Sequence, residues 1–156
     1  MDVTTRRLDK VHVGELATSL GFLLRLAQLR AFEDFFSEHG PRGLKPGEFS
    51  VLWVIACNPG IRQSVLGNRL MIKRAHMTKL IRAFDDQGLV SRKIPDSDRR
   101  AVELTLTPAG RQAVDGASAA FFAYEETTGA PLSRMERSQL LGLLQKYVGL
   151  SSEVRQ

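Results

Sequence analysis

The stretch "RAHMTKLIRAFDDQGLVSRKIPDSDRRAVELTLTPAG", Arg74 to Gly110, contains two different hydrophobic periods. In its first part Met77, Leu80, Ile81 and Phe84 fall at i, i+3, i+4 and i+7, the spacing of one helix face. Gly88 follows as the natural residue to end that helix in the left-handed conformation. The period then drops to two. "LVSRKI" (Leu89–Ile94) and "AVELTL" (Ala101–Leu106) alternate and are rich in β-formers, so two strands are predicted, with "PDSDRR" joining them as a hairpin. Thr107 and Pro108 read as the N-cap and first residue of a further helix, running to about Thr128.

Upstream, "RQSVLGNRLMI" (Arg62–Ile72) predicts a short helix with Leu66 and Leu70 inward and a tight turn after it. Before it, "LKPGEFSVLWVIACNPG" (Leu44–Gly60) predicts a helix with Pro46 in its first turn. Val51, Leu52 and Ile55 form its core face, and Asn58-Pro59-Gly60 stops it. "GELATSLGFLLRLAQLRAFEDFF" (Gly14–Phe36) carries apolar residues on two faces. Such a helix is either deeply buried or has a partner chain. Downstream, Ser133 and Glu136 form a capping box for a leucine-rich last helix, Arg134 to about Val148. Short helix, turn, amphipathic helix and β-hairpin in succession make a winged helix-turn-helix. The fold class expected is mainly α with a small β-hairpin wing.

Charge agrees with this reading. The 156 residues carry a net charge of +5, and all the excess lies in the middle third. Residues 1–48 are net zero, 49–100 are net +6 and 101–156 are net −1. A local field of one sign favours a polyanion, most often nucleic acid. If Met77, Leu80, Ile81 and Phe84 face the core, then Arg74, Thr78 and Arg82 share the opposite face, flanked by Ala75 and Lys79, with His76 at the margin. One helix fits a DNA major groove, and Arg, Lys and Thr are suited to base edges or phosphates. Lys73 and Arg62 occupy positions where a helix N-cap is expected. A cation there opposes the helix dipole unless a phosphate is near, so both are phosphate-contact candidates. At the hairpin tip, Asp98 is expected to organise the wing by holding a guanidinium, while Arg100, with Arg99, enters a minor groove. Asp96 reads as ordinary turn chemistry.

The residues "LVSRKIPDSDRRAVELTLTPAG" and the upstream "PGIRQSVLGNRLMIKRAHMTKLIRAFDDQGLV" resemble the MarR family of bacterial transcriptional regulators, and the likeness covers nearly the whole chain. The resemblance implies one MarR-type domain over 1–156, with dimerisation helices at about 8–38 and 108–150 and a winged-helix lobe at 46–107. It implies a homodimer on a palindromic double-stranded operator, usually a repressor released by a small-molecule effector. By the family pattern Asp98 braces the wing and Arg100 is the minor-groove arginine. Lys45, Arg62 and Lys73 depart from the pattern, which more often has Ser or Thr caps there.

The effector is less legible. The chain resembles members that sense aromatic acids or their coenzyme A thioesters, which makes Arg25, Phe22, Trp53 and Phe49 candidate effector contacts. Core packing is the better reading of each aromatic, and a salt bridge to an acid such as Glu33, or simple exposure, the better reading of Arg25. Cys57 is expected in the core, with a thiol redox switch as an alternative function. A non-specific architectural DNA-binding protein is the other alternative. No phosphate loop, catalytic triad element or compact His/Cys ligand spacing points to an enzyme, a metal or a cofactor. The N-terminus has no signal-peptide apolar stretch and no segment reaches transmembrane length, so a cytoplasmic protein with no membrane partner is expected.

Overall fold

The computed structural model describes residues 11–39 and 43–150. These described residues fall into two compact units, one on either side of residue 40.

In the first unit a short 3-10 turn, Gly14–Thr18, precedes α1, Leu20–His39. The single helix expected from Gly14 is broken at Ser19, whose extended backbone (ψ 114°) closes the 3-10 turn before α1 begins. Leu20, Leu23, Leu26, Leu29, Phe32 and Phe36 are exposed along α1, Phe22 and Leu24 are half-buried, and Phe35 is buried.

The second unit holds α2 (Pro46–Cys57), β1 (Ile61–Arg62), α3 (Gln63–Arg69), α4 (Arg74–Asp86), β2 (Val90–Lys93), β3 (Glu103–Leu106), α5 (Pro108–Thr127) and α6 (Arg134–Tyr147). Its core is built from Phe49, Val51, Leu52 and Ile55 of α2, Leu66 of α3, Met77, Ile81 and Phe84 of α4, Val90 and Leu104 of the sheet, and Val114 of α5. The helical stripe read from α4 is therefore the buried face, with Leu80 only partly covered.

Two strands were expected and three are present, in the order β1-β3-β2, all antiparallel. Ile61 pairs with Leu104 and Arg62 with Glu103, while Lys93 pairs with Glu103 from the other side. A two-residue strand is too short to show an alternation, so β1 left no periodic signal. Its pairing anchors α3: Gly60 N–H donates to Leu104 O at 2.8 Å and Gln63 N–H to Val102 O at 2.8 Å.

Local chemistry fixes the helix ends. Lys45 N–H donates to Glu48 Oε2 at 3.0 Å at the start of α2. Thr107 Oγ1 accepts from Gly110 N–H at 3.0 Å and donates to Gly88 O at 2.5 Å, locking the entry of α5 onto the end of α4. The contact is so close that a Cβ built on Gly110 would lie 1.9 Å from Leu89 O. The expected capping box at α6 is formed, with Ser133 N–H donating to Glu136 Oε2 at 2.8 Å and Glu136 N–H to Ser133 Oγ at 3.3 Å. The Ser133 hydroxyl, which donates to Glu136 Oε2 at 2.7 Å, and the Ser133 N–H hold the Glu136 carboxyl below its usual pKa. Arg137 ties the turn between α5 and α6, donating from Nε to Thr128 O at 2.9 Å and from Nη2 to Glu125 O.

Candidate nucleic-acid interface

The interface is assembled from α3, α4 and the β2–β3 hairpin. Burying Met77, Ile81 and Phe84 turns Arg74, Ala75, His76, Thr78, Lys79 and Arg82 outward, and all six are exposed. The turn that presents α4 is tight. Ile72 N–H donates to Gly67 O at 2.9 Å, and Met71 adopts a left-handed backbone at φ 53°. A Cβ at Gly67 would stand 3.3 Å from Ile72 O, so the glycine lets α3 and the turn approach.

Neither Lys73 nor Arg62 caps its helix with a side chain. The first amides of α3 and α4 are thus left without side-chain acceptors at their N-caps, and each helix starts beside a cation. At the wing, Asp98 N–H donates to Pro95 O at 3.1 Å and Ala101 N–H to Asp98 O at 3.0 Å, so the tip is a pair of consecutive turns. The Asp98 carboxylate, expected from sequence to hold a guanidinium at the tip, pairs with the side chain of neither Arg99 nor Arg100. It accepts from Arg100 N–H at 3.1 Å and pairs with Arg62 Nη1 at 3.3 Å. Arg62 comes within reach because β1 lies beside β3, a pairing invisible in the sequence. Arg99 and Arg100 are exposed, and no ion pair holds either of them among the described residues.

Between α3, the start of α4 and the wing lies a groove of about 320 Å³. Arg74, Thr78 and Arg100 line it, joined by Gln63, Asn68 and Arg92, which the sequence reading passed over. Arg92 also pairs with Asp85 of α4 at 3.5 Å, tying α4 to the hairpin. Gln63 Nε2–H donates to Thr78 Oγ1 at 3.1 Å, bridging the two helices of the helix-turn-helix. A polar residue such as Gln63 at the start of a short helix carries no distinctive pattern, so only the fold places it beside Thr78.

Among relatives, a model of the MarR family matches residues 44–102, the span from the start of α2 through the wing. The "Putative transcriptional regulatory protein for hcr operon" of Thauera aromatica is 36% identical over 146 residues, covering 93% of this chain and 87% of that protein. The chain belongs to the MarR family. A similar solved structure is the transcriptional repressor CouR bound to a 23-mer DNA duplex, with a TM-score of 0.77, 35% identity and coverage of 88% of this chain and 98% of that one. CouR bound to p-coumaroyl-CoA is similar at a TM-score of 0.75 and 32% identity, covering 88% and 97%. This MarR-family chain is accordingly a DNA-binding transcriptional regulator and not an enzyme.

The effector candidates divide between the two units. Phe22 and Arg25 lie on α1 of the first unit, Phe22 half-buried and Arg25 exposed. Phe49 and Trp53 of α2 are brought together with two aromatics the sequence reading missed, Phe121 and Phe122 of α5. Phe49 stacks on Phe121 at 4.2 Å and on Trp53 at 5.7 Å, and Trp53 meets Phe122 edge-on at 4.9 Å. Phe49 is core, whereas Trp53 is half-buried and Phe122 exposed.

Cys57 is exposed, not buried as expected. It lies two residues beyond Ile55, off the face that Val51, Leu52 and Ile55 present to the core. No group of three or more potential metal ligands occurs among the described residues. No helix among them is long and apolar enough to cross a membrane.

Proposed function

We propose that this MarR-family regulator acts in the cytoplasm as a homodimeric repressor of a palindromic operator, released by an aromatic acid or its coenzyme A thioester. The observation that carries the DNA-reading part is the exposed row Arg74, Thr78, Lys79 and Arg82 on α4, set beside a wing whose Arg99 and Arg100 are also exposed. In this reading the first turns of α4 enter a major groove and Arg100 a flanking minor groove. Lys73 and Arg62 approach phosphates at the starts of α4 and α3. Ala75 permits close approach to the bases, and His76 lies at the edge of the contact.

The dimer is supported by the apolar surface the single chain leaves uncovered. Six large apolar residues are exposed on α1, and Met135, Leu140, Leu141, Leu143 and Tyr147 on α6. Exposed apolar surface of this extent marks an interaction face. Dimerisation helices at about 8–38 and 108–150 would bury it, leaving 46–107 as the winged lobe, although residues 8–10 lie outside the described ones.

The effector assignment rests on the half-exposed rings around Trp53 and Phe122, together with the likeness to CouR, whose structure holds p-coumaroyl-CoA. Phe49 would support that wall from the core side. Phe22 and Arg25, in the first unit, are effector candidates by the sequence resemblance alone.

The decisive experiment is fluorescence anisotropy of the protein on DNA from upstream of its own gene, beside an unrelated duplex, each at two salt concentrations. Specific recognition gives a preference of about 10³-fold or more with steep salt dependence. Aromatic acids and thioesters are then titrated into the complex. Release by one of them supports the effector class. Equal affinity for both duplexes would instead favour an architectural binder.

A further inference from the structure

We infer that Gln63 is a positioning residue for base selection: its amide occupies one lone pair of the Thr78 hydroxyl and biases Thr78 toward presenting its proton to a base-edge acceptor. The inference rests on the reading of α4 as the recognition helix and adds a determinant that lies on the preceding helix.

The geometry is specific. Gln63 is the first residue of α3 and half-buried. Its backbone is fixed by the 2.8 Å bond to Val102 O, so the side chain departs from a rigid point at the strand edge. Its Nε2–H donates to Thr78 Oγ1 at 3.1 Å. Thr78 is exposed beside Arg74 in the groove between α4 and the wing. Among the described residues Gln63 is the only hydrogen-bond partner of that hydroxyl. A hydroxyl has one proton and two lone pairs. With one lone pair facing the Gln63 amide, the proton is free to turn outward.

An outward O–H suits an acceptor in the major groove, guanine O6 or N7, thymine O4 or adenine N7, over the exocyclic amino groups of cytosine and adenine. Without Gln63 the hydroxyl rotates freely and serves as donor or acceptor alike. One neutral hydrogen bond distinguishes alternatives by roughly five-fold.

The test is selection from a randomised duplex library followed by affinity measurement on single-base variants of the selected site. Wild type, Gln63→Ala, Gln63→Glu and Thr78→Val are compared, with thermal melting to confirm that each is folded. Gln63→Glu is close to isosteric and reverses the bond. A carboxylate only accepts, so the Thr78 proton turns inward and only lone pairs face the DNA. The expected result is one base pair per half-site where the wild type prefers an acceptor by roughly five-fold. That preference falls below about two-fold in Gln63→Ala and Thr78→Val, and shifts toward adenine or cytosine in Gln63→Glu. The added charge of Gln63→Glu weakens binding to all sequences alike, so the ratio between bases remains the readout. If Gln63→Ala lowers affinity uniformly with every base preference kept, or alters a different base pair from Thr78→Val, the inference is overturned. If the wild type enriches no sequence at all, DNA reading by α4 itself fails, an outcome separate from the failure of Gln63 alone.

Discussion

The Asp98 carboxylate lies 3.3 Å from Nη1 of Arg62, thirty-six positions earlier in the chain, and 3.1 Å from the backbone N–H of Arg100. One acidic side chain thereby connects the start of α3, the edge strand β1 and the tip of the wing. Both members of the ion pair are substantially exposed, so it contributes little to global stability. Its consequence is geometric, because it limits where Arg100 can stand relative to the helix-turn-helix.

Replacing Asp98 with Ala should therefore leave the melting temperature within a few degrees of wild type while weakening DNA binding. Since the Arg100 side chain is still present and only its placement is loosened, the net loss should be smaller than for Arg100→Ala. Anisotropy titrations on the selected site, paired with thermal melts, check this. A large drop in melting temperature would mean that the pair holds the fold and not the wing.

For Arg100→Ala we expect a loss of about 1–3 kcal/mol in operator binding, with the fold unchanged. Minor-groove arginines respond to groove width, so the loss should be greatest on sites whose wing-flanking segments are A·T-rich. By contrast, Arg82→Ala and Arg74→Ala should each weaken binding on the major-groove side. A change in the ranking of sequences marks a base contact, and a uniform loss with a shallower salt dependence marks a phosphate contact. Unchanged affinity on Arg100→Ala would remove the minor-groove role.

Much of this interface was legible because α4 states its orientation in its own residues. Met77, Ile81 and Phe84 are buried where helical spacing places them, and the basic row is exposed by elimination. Gly88 takes its left-handed backbone at φ 70°, and Thr107 caps α5 as its position beside Pro108 implies. Features that depend on distant segments were not legible. β1 exists only because β3 returns beside it, and the partner of Asp98 follows from that pairing. Nor does sequence locate Phe121 and Phe122 against Phe49 and Trp53, since α2 and α5 are far apart in the chain. The exposure of Cys57 turns on a phase difference of two residues at a helix end, where periodicity is weakest.

Gly110 and Gly116 both lie on α5, and by helix propensity alone each should gain about 1 kcal/mol on substitution by alanine. Their surroundings separate them. A Cβ at Gly116 meets nothing within 4 Å, whereas one at Gly110 would lie 1.9 Å from the Leu89 carbonyl oxygen. Backbone cannot yield as a flexible side chain does, so Gly110→Ala should cost about 2 kcal/mol or more despite its better propensity. Gly116→Ala should raise the melting temperature by a few degrees. Thermal denaturation of the two variants decides, and equal effects would show that α5 does not pack as closely on Leu89 as the geometry requires.

Leu29 is exposed on α1 and Leu143 on α6, and in an isolated chain a charged residue at either position should change stability by no more than about 0.5 kcal/mol. If these helices form the dimer, Leu29→Glu and Leu143→Glu place a charge in an apolar interface. Sedimentation should then shift from twice the chain mass of 17.3 kDa toward the monomer. Palindromic DNA should lose its advantage over a single half-site in the same variants. A wild-type protein that sediments as a monomer at micromolar concentration would contradict the arrangement directly.

Glu125 gives a prediction whose sign follows from burial. Its carboxyl pKa is raised because partial burial disfavours the charged form by more than the neighbouring Arg137 favours it. A carboxyl whose folded-state pKa lies above its unfolded one binds protons more tightly when folded. Its contribution to stability is complete at pH below the unfolded value of 4.5 and is lost as pH rises through the higher folded value. Glu125→Gln removes that loss and keeps the backbone carbonyl that accepts from Arg137. The variant should therefore melt higher than wild type at pH 7, and the gap should close at pH 4. Because the side chain is only half-buried, solvent screens it and the gap should be small, a few degrees at most. A gap that widens on acidification would mean that the Arg137 attraction outweighs desolvation, and that the charged carboxylate stabilises the turn between α5 and α6.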